Sequence, residues 1–297
     1  MGAKVRFGKI GMDATPQFCK SVGNQCCRRE FYSAECRPDV SFDRTGAIFG
    51  GGMEKACDVL IRNLGEHTAL SEEDIAEIRA LTVSQRDFEP NEDFIRQGDQ
   101  PEHSALVVSG MVARYHLLGS GRRQYLSFHL TGDLPDAQGL FIDEMDHGLS
   151  ALGPASVAFI PHRELIAAFQ RRPTFGLAVW RETLLDASIF REAITNNSAR
   201  PMTARMAHLF CELFYRARAA QLVSDNRCRM PISLGQLGET LGMAIATVNR
   251  TLAELRRSGA MDLRDGELIV LRWRELQRLG DFSPAYLHQG RQPPVHA

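Results

Sequence analysis

Apolar residues recur at helical spacing where regular patterning of the chain begins. From Met53, the apolar positions on or near one helical face predict a helix that ends at Gly65; they are Val59, Leu60, Ile61 and Leu64. Ser71-Glu-Glu-Asp then predicts the capped start of a short helix that continues through Leu81. Two helices are therefore expected before any sheet.

The pattern next changes to short β-type runs separated by glycine. Residues 105–108 and 125–130 are typical of strands. Turn signals recur at roughly 11-residue intervals, at Gly98-Asp99, Gly110, Gly119, Gly121 and Gly132-Asp133. This alternation predicts a compact antiparallel β-roll of the jelly-roll kind, or a barrel.

Pro173 marks the entry of a long helix that we predict over about residues 174–196. An apolar stripe at three- and four-residue steps, interrupted by Arg191, follows it: Leu177, Trp180, Leu184, Ala187 and Ile194. The stripe packs either on its own domain or against a second copy as a coiled-coil-like dimer seam. Residues 196–201 are expected to break the helix and form a hinge.

Ser233 and Gln236 have the spacing of a capping box, and Ile232 with Leu237 supplies the flanking hydrophobic staple. A helix is therefore predicted to start at Leu234, and Gly242 is expected to end it in a tight turn. A second helix follows over about residues 244–258, with its inward face formed by Val248, Leu252 and Leu255.

Small and hydrogen-bonding residues share the other face of this second helix: Ala246, Asn249, Arg250 and Ala253. Two short helices joined by a glycine-containing turn match a helix-turn-helix. Arginine can pair with guanine, asparagine with adenine, and alanine or threonine methyl groups can contact thymine. The alternative is an ordinary helical hairpin with a polar outer face.

The residues after the second helix favour DNA binding over that alternative. Two strand-like runs, 259–264 and 267–271, flank Asp265-Gly266, a pair that favours a hairpin turn. A helix-turn-helix followed by a hairpin is a winged helix. Arg264 on the wing and Thr247 on the second helix are predicted to contact phosphate, which positions the protein without specifying sequence.

The composition fits a globular protein of about two domains, because 44% of the 297 residues are apolar and 24% are charged. No run reaches the roughly 18 apolar residues of a membrane span, and the N-terminus lacks a secretory pattern. We expect a cytoplasmic protein without a membrane partner. The net charge of -1 conceals an uneven distribution: residues 201–280 contain 12 arginines, no lysine and 8 acids. This basic segment suits a phosphate backbone, although a solvated basic face has the same charge.

Seven cysteines without an export signal indicate free thiols or metal ligands rather than disulfides. Residues 1–52 have weak periodicity and contain the glycine run 50–52 just before Met53. We expect Met53 to be the native start, which would make residues 1–52 a non-native or disordered extension.

Residues 53–283 resemble the Crp/Fnr family of regulators through Gly98-Asp99, Gly132-Asp133, the long helix and Thr247-Val-Asn-Arg250. The resemblance implies an α+β homodimer in which a roll related to cyclic-nucleotide-binding domains senses a signal. It also implies that the winged helix binds palindromic double-stranded DNA and that RNA polymerase is a partner. We do not expect an enzyme, because the sequence has no phosphate-binding glycine loop, no serine nucleophile elbow and no zinc-ligand spacing. The expected domains are the extension 1–52, the sensing domain 53–172, the dimerisation helix and hinge 173–200, the DNA-binding domain 201–283 and a flexible tail 284–297.

Two departures from the family pattern concern the ligands. Ile245 and Ala246 stand where relatives commonly have Arg or Ser followed by Glu, so a different operator is expected. The family's cyclic-nucleotide Gly-Glu pair falls on Asp136-Ala137, and no arginine occurs between Arg123 and Arg163. The segment is instead acidic, through Asp133, Asp136, Asp143, Glu144 and Asp146. We therefore expect no useful affinity for cAMP and leave the signal open.

Two other kinds of regulator stay open. Oxygen-sensing relatives hold an iron–sulfur cluster on closely spaced cysteines, but Cys19, Cys26, Cys27 and Cys36 have different spacing. A redox-responsive regulator using these thiols is one alternative; a sensing module whose helix-turn-helix no longer binds DNA is another. The histidines of the roll are expected to be ordinary strand residues rather than haem ligands: His103, His116, His129 and His147. We predict no cofactor and no metal.

Overall fold

A computed structural model describes residues 50–288 of the chain. The four N-terminal cysteines and most of the predicted extension lie outside the described residues. The first helix, α1, spans Gly50–Gly65, so it begins three residues before the predicted start at Met53 and ends at the predicted glycine. Helix α2, Glu72–Arg79, has the predicted cap, because Ser71 and Asp74 form a capping box.

Seven strands follow the two helices. They are β1 (Ser84–Phe88), β2 (Asp93–Ile95), β3 (His103–Ser109), β4 (Met111–Leu117), β5 (Arg123–Leu130), β6 (Gly148–Ala151) and β7 (Ala155–Pro161). A short 3-10 helix, Ala137–Leu140, lies between β5 and β6. Both predicted strand runs, 105–108 and 125–130, fall within strands of this set.

These strands form two antiparallel sheets, with strand orders β1-β7-β3 and β2-β6-β4-β5. Their alternating apolar side chains share one buried cluster, to which both sheets contribute: Phe88, Ile95, Ala105, Val107, Val112, Leu149, Ala151 and Val157. Burial of these side chains between two pleated faces stabilises the roll. The predicted α+β fold with an antiparallel roll is confirmed.

Helix α3, His162–Arg171, leads into α4, Pro173–Ala199, a helix of 27 residues that starts at the predicted proline. One face of α4 is buried, through Phe175, Ala178, Val179 and Leu185. The hinge differs from the prediction: residues 196–199 are still helical, and the break is confined to Arg200 and Pro201. Asn196 supports the continuation, since its side-chain amide donates to the carbonyl of Arg205 across the break at 3.1 Å.

The C-terminal elements are α5 (Met202–Ala219), β8 (Arg227–Arg229), α6 (Leu234–Leu241), α7 (Ile245–Arg257), β9 (Met261–Arg264), β10 (Glu267–Val270) and α8 (Trp273–Gly280). The three strands form a sheet of order β8-β10-β9. Strand β8 could not be predicted from the sequence, because the three residues Arg-Cys-Arg have no pattern typical of a strand.

The predicted flexible tail begins too early. Pro284–Leu287 form a 3-10 helix, and Leu287 is buried in the core of the C-terminal domain. The phenol of Tyr286 donates to Glu212 on α5 at 2.8 Å, which secures this segment. Within residues 50–288, no helix is long and apolar enough to cross a membrane.

Candidate nucleic-acid interface

Helix α6 begins through the predicted reciprocal hydrogen bonds. The hydroxyl of Ser233 accepts from the backbone N–H of Gln236 at 3.2 Å, and the side chain of Gln236 accepts from the backbone N–H of Ser233 at 2.8 Å. Two amides that lack helical partners are thereby satisfied. Gly242 ends the helix with a φ of +64°, in the left-handed region that glycine adopts without strain.

Gly238 makes the turn between α6 and α7 possible, and sequence analysis did not identify it. A Cβ at this position would lie 2.6 Å from the backbone carbonyl oxygen of Met243. The two segments can therefore approach each other only because residue 238 has no side chain.

Helix α7 separates buried and exposed residues as predicted at most positions. Val248 and Leu255 are fully buried, whereas Leu252 is half-buried. Thr251 is also buried, at 2% exposure, although its polar side chain gave no sequence signal for this.

The residues predicted to contact DNA lie on the open face of α7. Ala246, Asn249 and Arg250 are exposed and Thr247 is half-buried. The structure thus brings all four together near the start of the helix that follows the turn. In helix-turn-helix proteins this is the part of the recognition helix that reaches the bases.

The wing forms at the predicted hairpin. Strands β9 and β10 pair from Arg264 with Glu267 to Met261 with Val270, and Asp265 and Gly266 both have positive φ. Such a pair of left-handed residues is what a two-residue hairpin turn requires. Arg264 is exposed but forms an ion pair with Asp262, which also accepts from Arg256 at 2.7 Å.

The predicted dimerisation stripe is exposed along α4. The exposed fractions are 59% for Leu177, 59% for Trp180, 49% for Leu184 and 69% for Ile194, while Ala187 is half-buried. Four large apolar side chains on one helix thus have little contact with their own chain. Packing of the stripe on its own domain, one of the two interpretations of the sequence, therefore does not apply to these four residues.

The first helix of the helix-turn-helix contacts the roll. The side-chain amide of Gln236 donates to the phenol oxygen of Tyr125 at 3.4 Å and to Asn91 at 3.3 Å. Gln124 on β5 donates to the carbonyl of Glu239. Helix α6 is therefore docked on the roll, while α7 keeps its polar face open.

The segment around Asp136-Ala137 is organised by a residue from strand β4. Arg114 on β4 is buried and donates to the carbonyl of Pro135, to His147 and to Asp186 on α4. Asp136 is fully buried and accepts from the backbone N–H of Ala105 at 2.8 Å. Burial raises the pKa of Asp136 to about 7, against the opposing effects of that hydrogen bond and of Arg114. The local sequence lacks an arginine, but the fold supplies one.

Two histidines of the roll are internal hydrogen-bonding residues. His129 is buried and contacts the hydroxyl of Ser127 at 2.9 Å, and His147 lies between Arg114 and Asp146. Burial lowers the pKa of both imidazoles, with a smaller contribution from the charge of Arg114. In the described part of the chain, no three potential metal ligands are grouped so that they could hold an ion.

Comparison with known proteins matches both halves of the chain. The cyclic nucleotide-binding domain family matches residues 85–172, and the Crp-like helix-turn-helix domain family matches residues 204–279. The fumarate and nitrate reduction regulatory protein of Vibrio cholerae is 22% identical over 237 residues, which cover 80% of this chain and 94% of that protein. The transcriptional activator protein Anr of Pseudomonas protegens is 25% identical over 203 residues, which cover 68% of this chain and 83% of that protein.

Solved structures share the same architecture. FixK2 from Bradyrhizobium japonicum has a TM-score of 0.60 at 23% identity, covering 67% of this chain and 98% of that one. The c-di-GMP-responsive global regulator CLP from Xanthomonas campestris has a TM-score of 0.50 at 18% identity, covering 67% of this chain and 99% of that one. At such identities the likeness establishes the fold.

The winged helix-turn-helix and the roll define a DNA-binding transcriptional regulator rather than an enzyme. Because the two family matches occur in this order on one chain, the protein is a regulator of the Crp/Fnr type.

Replacing Gly238 by alanine should destabilise the DNA-binding domain. The new Cβ would overlap the carbonyl oxygen of Met243, and overpacking of this kind costs about 1–3 kcal/mol. Gly235→Ala in the same helix is the matched control, because its Cβ would meet only the hydroxyl of Ser233 at 3.8 Å. Urea unfolding followed by circular dichroism should show a loss for Gly238→Ala and no loss for Gly235→Ala. Equal stability of the two variants would contradict the close approach.

Proposed function

We propose that this protein binds a palindromic DNA site as a homodimer, with α7 of each protomer in the major groove of one half-site. The main support for this proposal is that α7 has one buried face and one open face. The buried face is fixed by Val248, Thr251 and Leu255, and the open face presents Asn249 and Arg250.

The open face has the chemistry that base recognition needs. The guanidinium of Arg250 can donate two hydrogen bonds to a guanine, and the amide of Asn249 can pair with an adenine. Ala246 and the methyl group of Thr247 can contact thymine methyl groups. Arg264 on the wing contacts phosphate, and it breaks its ion pair with Asp262 to do so.

The dimer is supported by the exposed stripe of α4. Leucine, tryptophan and isoleucine side chains at three- and four-residue steps match the apolar seam of a coiled coil. A parallel pairing of two α4 helices would place two copies of α7 on the same side of the assembly, as a palindromic site requires. RNA polymerase is the partner we propose for the bound dimer, since several relatives are named transcriptional activators.

We further propose that the signal is a molecule other than cAMP. The family's Gly-Glu pair is replaced by Asp136-Ala137, and Asp136 already serves the backbone of Ala105. Arg114 is likewise engaged by Pro135, His147 and Asp186. A cyclic phosphate therefore lacks a free cationic partner among these side chains.

A redox signal through thiols has less support from the described residues. Cys57, Cys211 and Cys228 are all buried, and burial raises the pKa of each thiol, to about 12 for Cys228. Thiols with raised pKa values are weak nucleophiles and are oxidised slowly. Redox sensing would therefore have to use the four cysteines outside residues 50–288.

Arg250→Ala should weaken binding to a DNA site selected from random duplexes by about 1–3 kcal/mol, because a bidentate base contact is lost. Arg257→Ala is the matched control, since Arg257 is exposed at the other end of α7. Fluorescence anisotropy on the selected site and on single-base variants measures both effects. Arg250→Ala should relax the preference at one base pair, whereas Arg257→Ala should leave the preferred sequence unchanged.

Unchanged affinity and unchanged preference in Arg250→Ala would contradict base recognition by α7. Failure of the wild-type protein to enrich any sequence would favour the alternative regulator that acts through protein contacts alone.

Leu184→Glu should convert the dimer to monomer, because it places a charge in the centre of the apolar seam of α4. Leu117→Glu is the matched control, as Leu117 is exposed to 47% on β4, outside the stripe. Sedimentation velocity should give the same dimer dissociation constant for the wild type and for Leu117→Glu. Leu184→Glu should raise the dissociation constant at least tenfold, which corresponds to about 1.4 kcal/mol. A dimer of unchanged affinity in Leu184→Glu would place the interface elsewhere.

A further inference from the structure

A cleft lies where the roll, α4 and the DNA-binding domain meet. Its walls come from α1, from the turn after β5, from α4 and from α5, and its cavity volume is about 80 Å³. Arg216 of the DNA-binding domain and Asp133 of the roll both line it. A molecule in this cleft would contact both halves of the regulator at once.

Glu182 on α4 has an incomplete set of hydrogen bonds in this cleft. Its Oε2 atom accepts from the side-chain amide of Asn63 on α1 at 3.4 Å. Its Oε1 atom is buried and has no hydrogen-bond partner within residues 50–288. Buried carboxylate oxygens in native proteins nearly always have a partner, so this one suits a donor that comes from a ligand.

Two other carboxylates of the cleft already have cationic partners. Asp133 pairs with Arg216 at 2.6 Å, and Asp186 pairs with Arg114 at 2.8 Å. Glu182 by contrast hydrogen-bonds only to the neutral amide of Asn63 and forms no ion pair within residues 50–288, although the charges of Arg216 and Arg181 act to lower its pKa. The unmet requirement at Glu182 Oε1 is therefore a hydrogen-bond donor, and a positively charged donor also balances the charge of its carboxylate.

We propose that the cleft binds a small organic cation, of the amine or guanidine class, with its charged nitrogen on Glu182 Oε1. The inference rests on the proposed function, because the ligand would then be the signal that the regulator reports to DNA. The ligand would lie close to the DNA-binding domain, since Glu182, Asp133 and Arg216 line the same cleft and Arg216 belongs to α5.

Proton release should accompany binding of the cation. Burial raises the pKa of Glu182 to about 8, with a further contribution from the charge of Asp133, so the carboxyl is largely protonated at pH 7. A cation on Oε1 favours the ionised form and displaces the proton. The other titratable and charged groups near the cleft are Arg62 on α1, Glu66 and His67 in the turn after α1, His129 on β5, Asp133 in the turn after β5, Arg181 and Asp186 on α4, and Arg216 on α5. Burial lowers the pKa of both His67 and His129, so these imidazoles are neutral near pH 7.

Isothermal titration calorimetry of the full chain tests the site with 1,4-diaminobutane and agmatine as cationic probes. Butanol, glutarate and cAMP serve as uncharged and anionic comparisons. At least one cationic probe should bind, and its affinity should be about 50-fold higher at pH 8 than at pH 6, because only the ionised fraction of Glu182 is competent. At pH 7 and below, titrations in buffers of different ionisation enthalpy should show that close to one proton is released.

Glu182→Gln should lower the affinity of the cationic probe at least tenfold at pH 8 and abolish the proton release. Glu144→Gln is the matched control, because Glu144 is exposed on the loop before β6, away from the cleft. Both variants should keep the melting temperature of the wild type or exceed it.

The inference is wrong if neither cation binds, or if Glu182→Gln binds as the wild type does. DNA binding is measured separately by anisotropy on the selected site. A protein that binds DNA but neither cation would overturn the cleft proposal and leave the proposed function intact. A protein that binds the cation through Glu182 but selects no DNA would overturn the proposed function instead.

Discussion

A largely buried ion pair connects the roll to the DNA-binding domain. The side chain of Arg216 on α5 is 11% exposed and donates to Asp133 at 2.6 Å and to the backbone carbonyl of Phe128 at 3.0 Å. Burial opposes ionisation of Asp133, but the charge of Arg216 and the hydrogen bond with His129 outweigh it and keep the pKa of Asp133 below its ordinary value. Arg216 also lies 3.4 Å from the buried Glu212, so removing Arg216 leaves two carboxylates without their cation, and the loss of one partner of a buried pair costs about 3–5 kcal/mol. Together with the hydrogen bonds between α6 and the roll, this contact sets the orientation of α5.

Several features of the interface follow from that orientation. Helix α5 supplies much of the core on which α7 and α8 pack, including Phe210 and Phe214. With α5 tied to the roll, α6 contacts β5 and α7 keeps its polar face open. A second long-range arginine, Arg114, ties the roll to α4 through Asp186. The roll thus has a charged connection to the helix proposed for dimerisation, through Arg114, and two to the domain proposed to bind DNA, through Asp133 and through Arg122, which lies 3.8 Å from Glu239.

Local sequence was sufficient wherever a structure is fixed by residues close together in the chain. The capping box of Ser233 with Gln236, the end of α6 at Gly242 and the hairpin at Asp265-Gly266 each depend on a few neighbouring residues, and all were predicted correctly. The long helix was predicted from its proline and its apolar stripe, although the structure extends it to Ala199.

Long-range contacts could not be predicted in this way. Strand β8 pairs with β10, almost 40 residues later, and Gly238 is required by a carbonyl group on the far side of a turn. Arg114 and Arg216 lie outside residues 124–162, so the sequence suggested an acidic region without arginine. The reason is general, because a charge on one strand or helix gives no local indication of its partner.

A double-mutant cycle on the connecting ion pair tests this account most directly. The variants are Arg216→Met, Asp133→Asn and the double substitution, and urea unfolding gives their free energies. Arg216→Met alone should lower the free energy of unfolding by about 3–5 kcal/mol. In the Asp133→Asn background the same substitution should cost at least about 1.5 kcal/mol less. Additive effects, within about 0.5 kcal/mol, would contradict the claim that this pair connects the two domains.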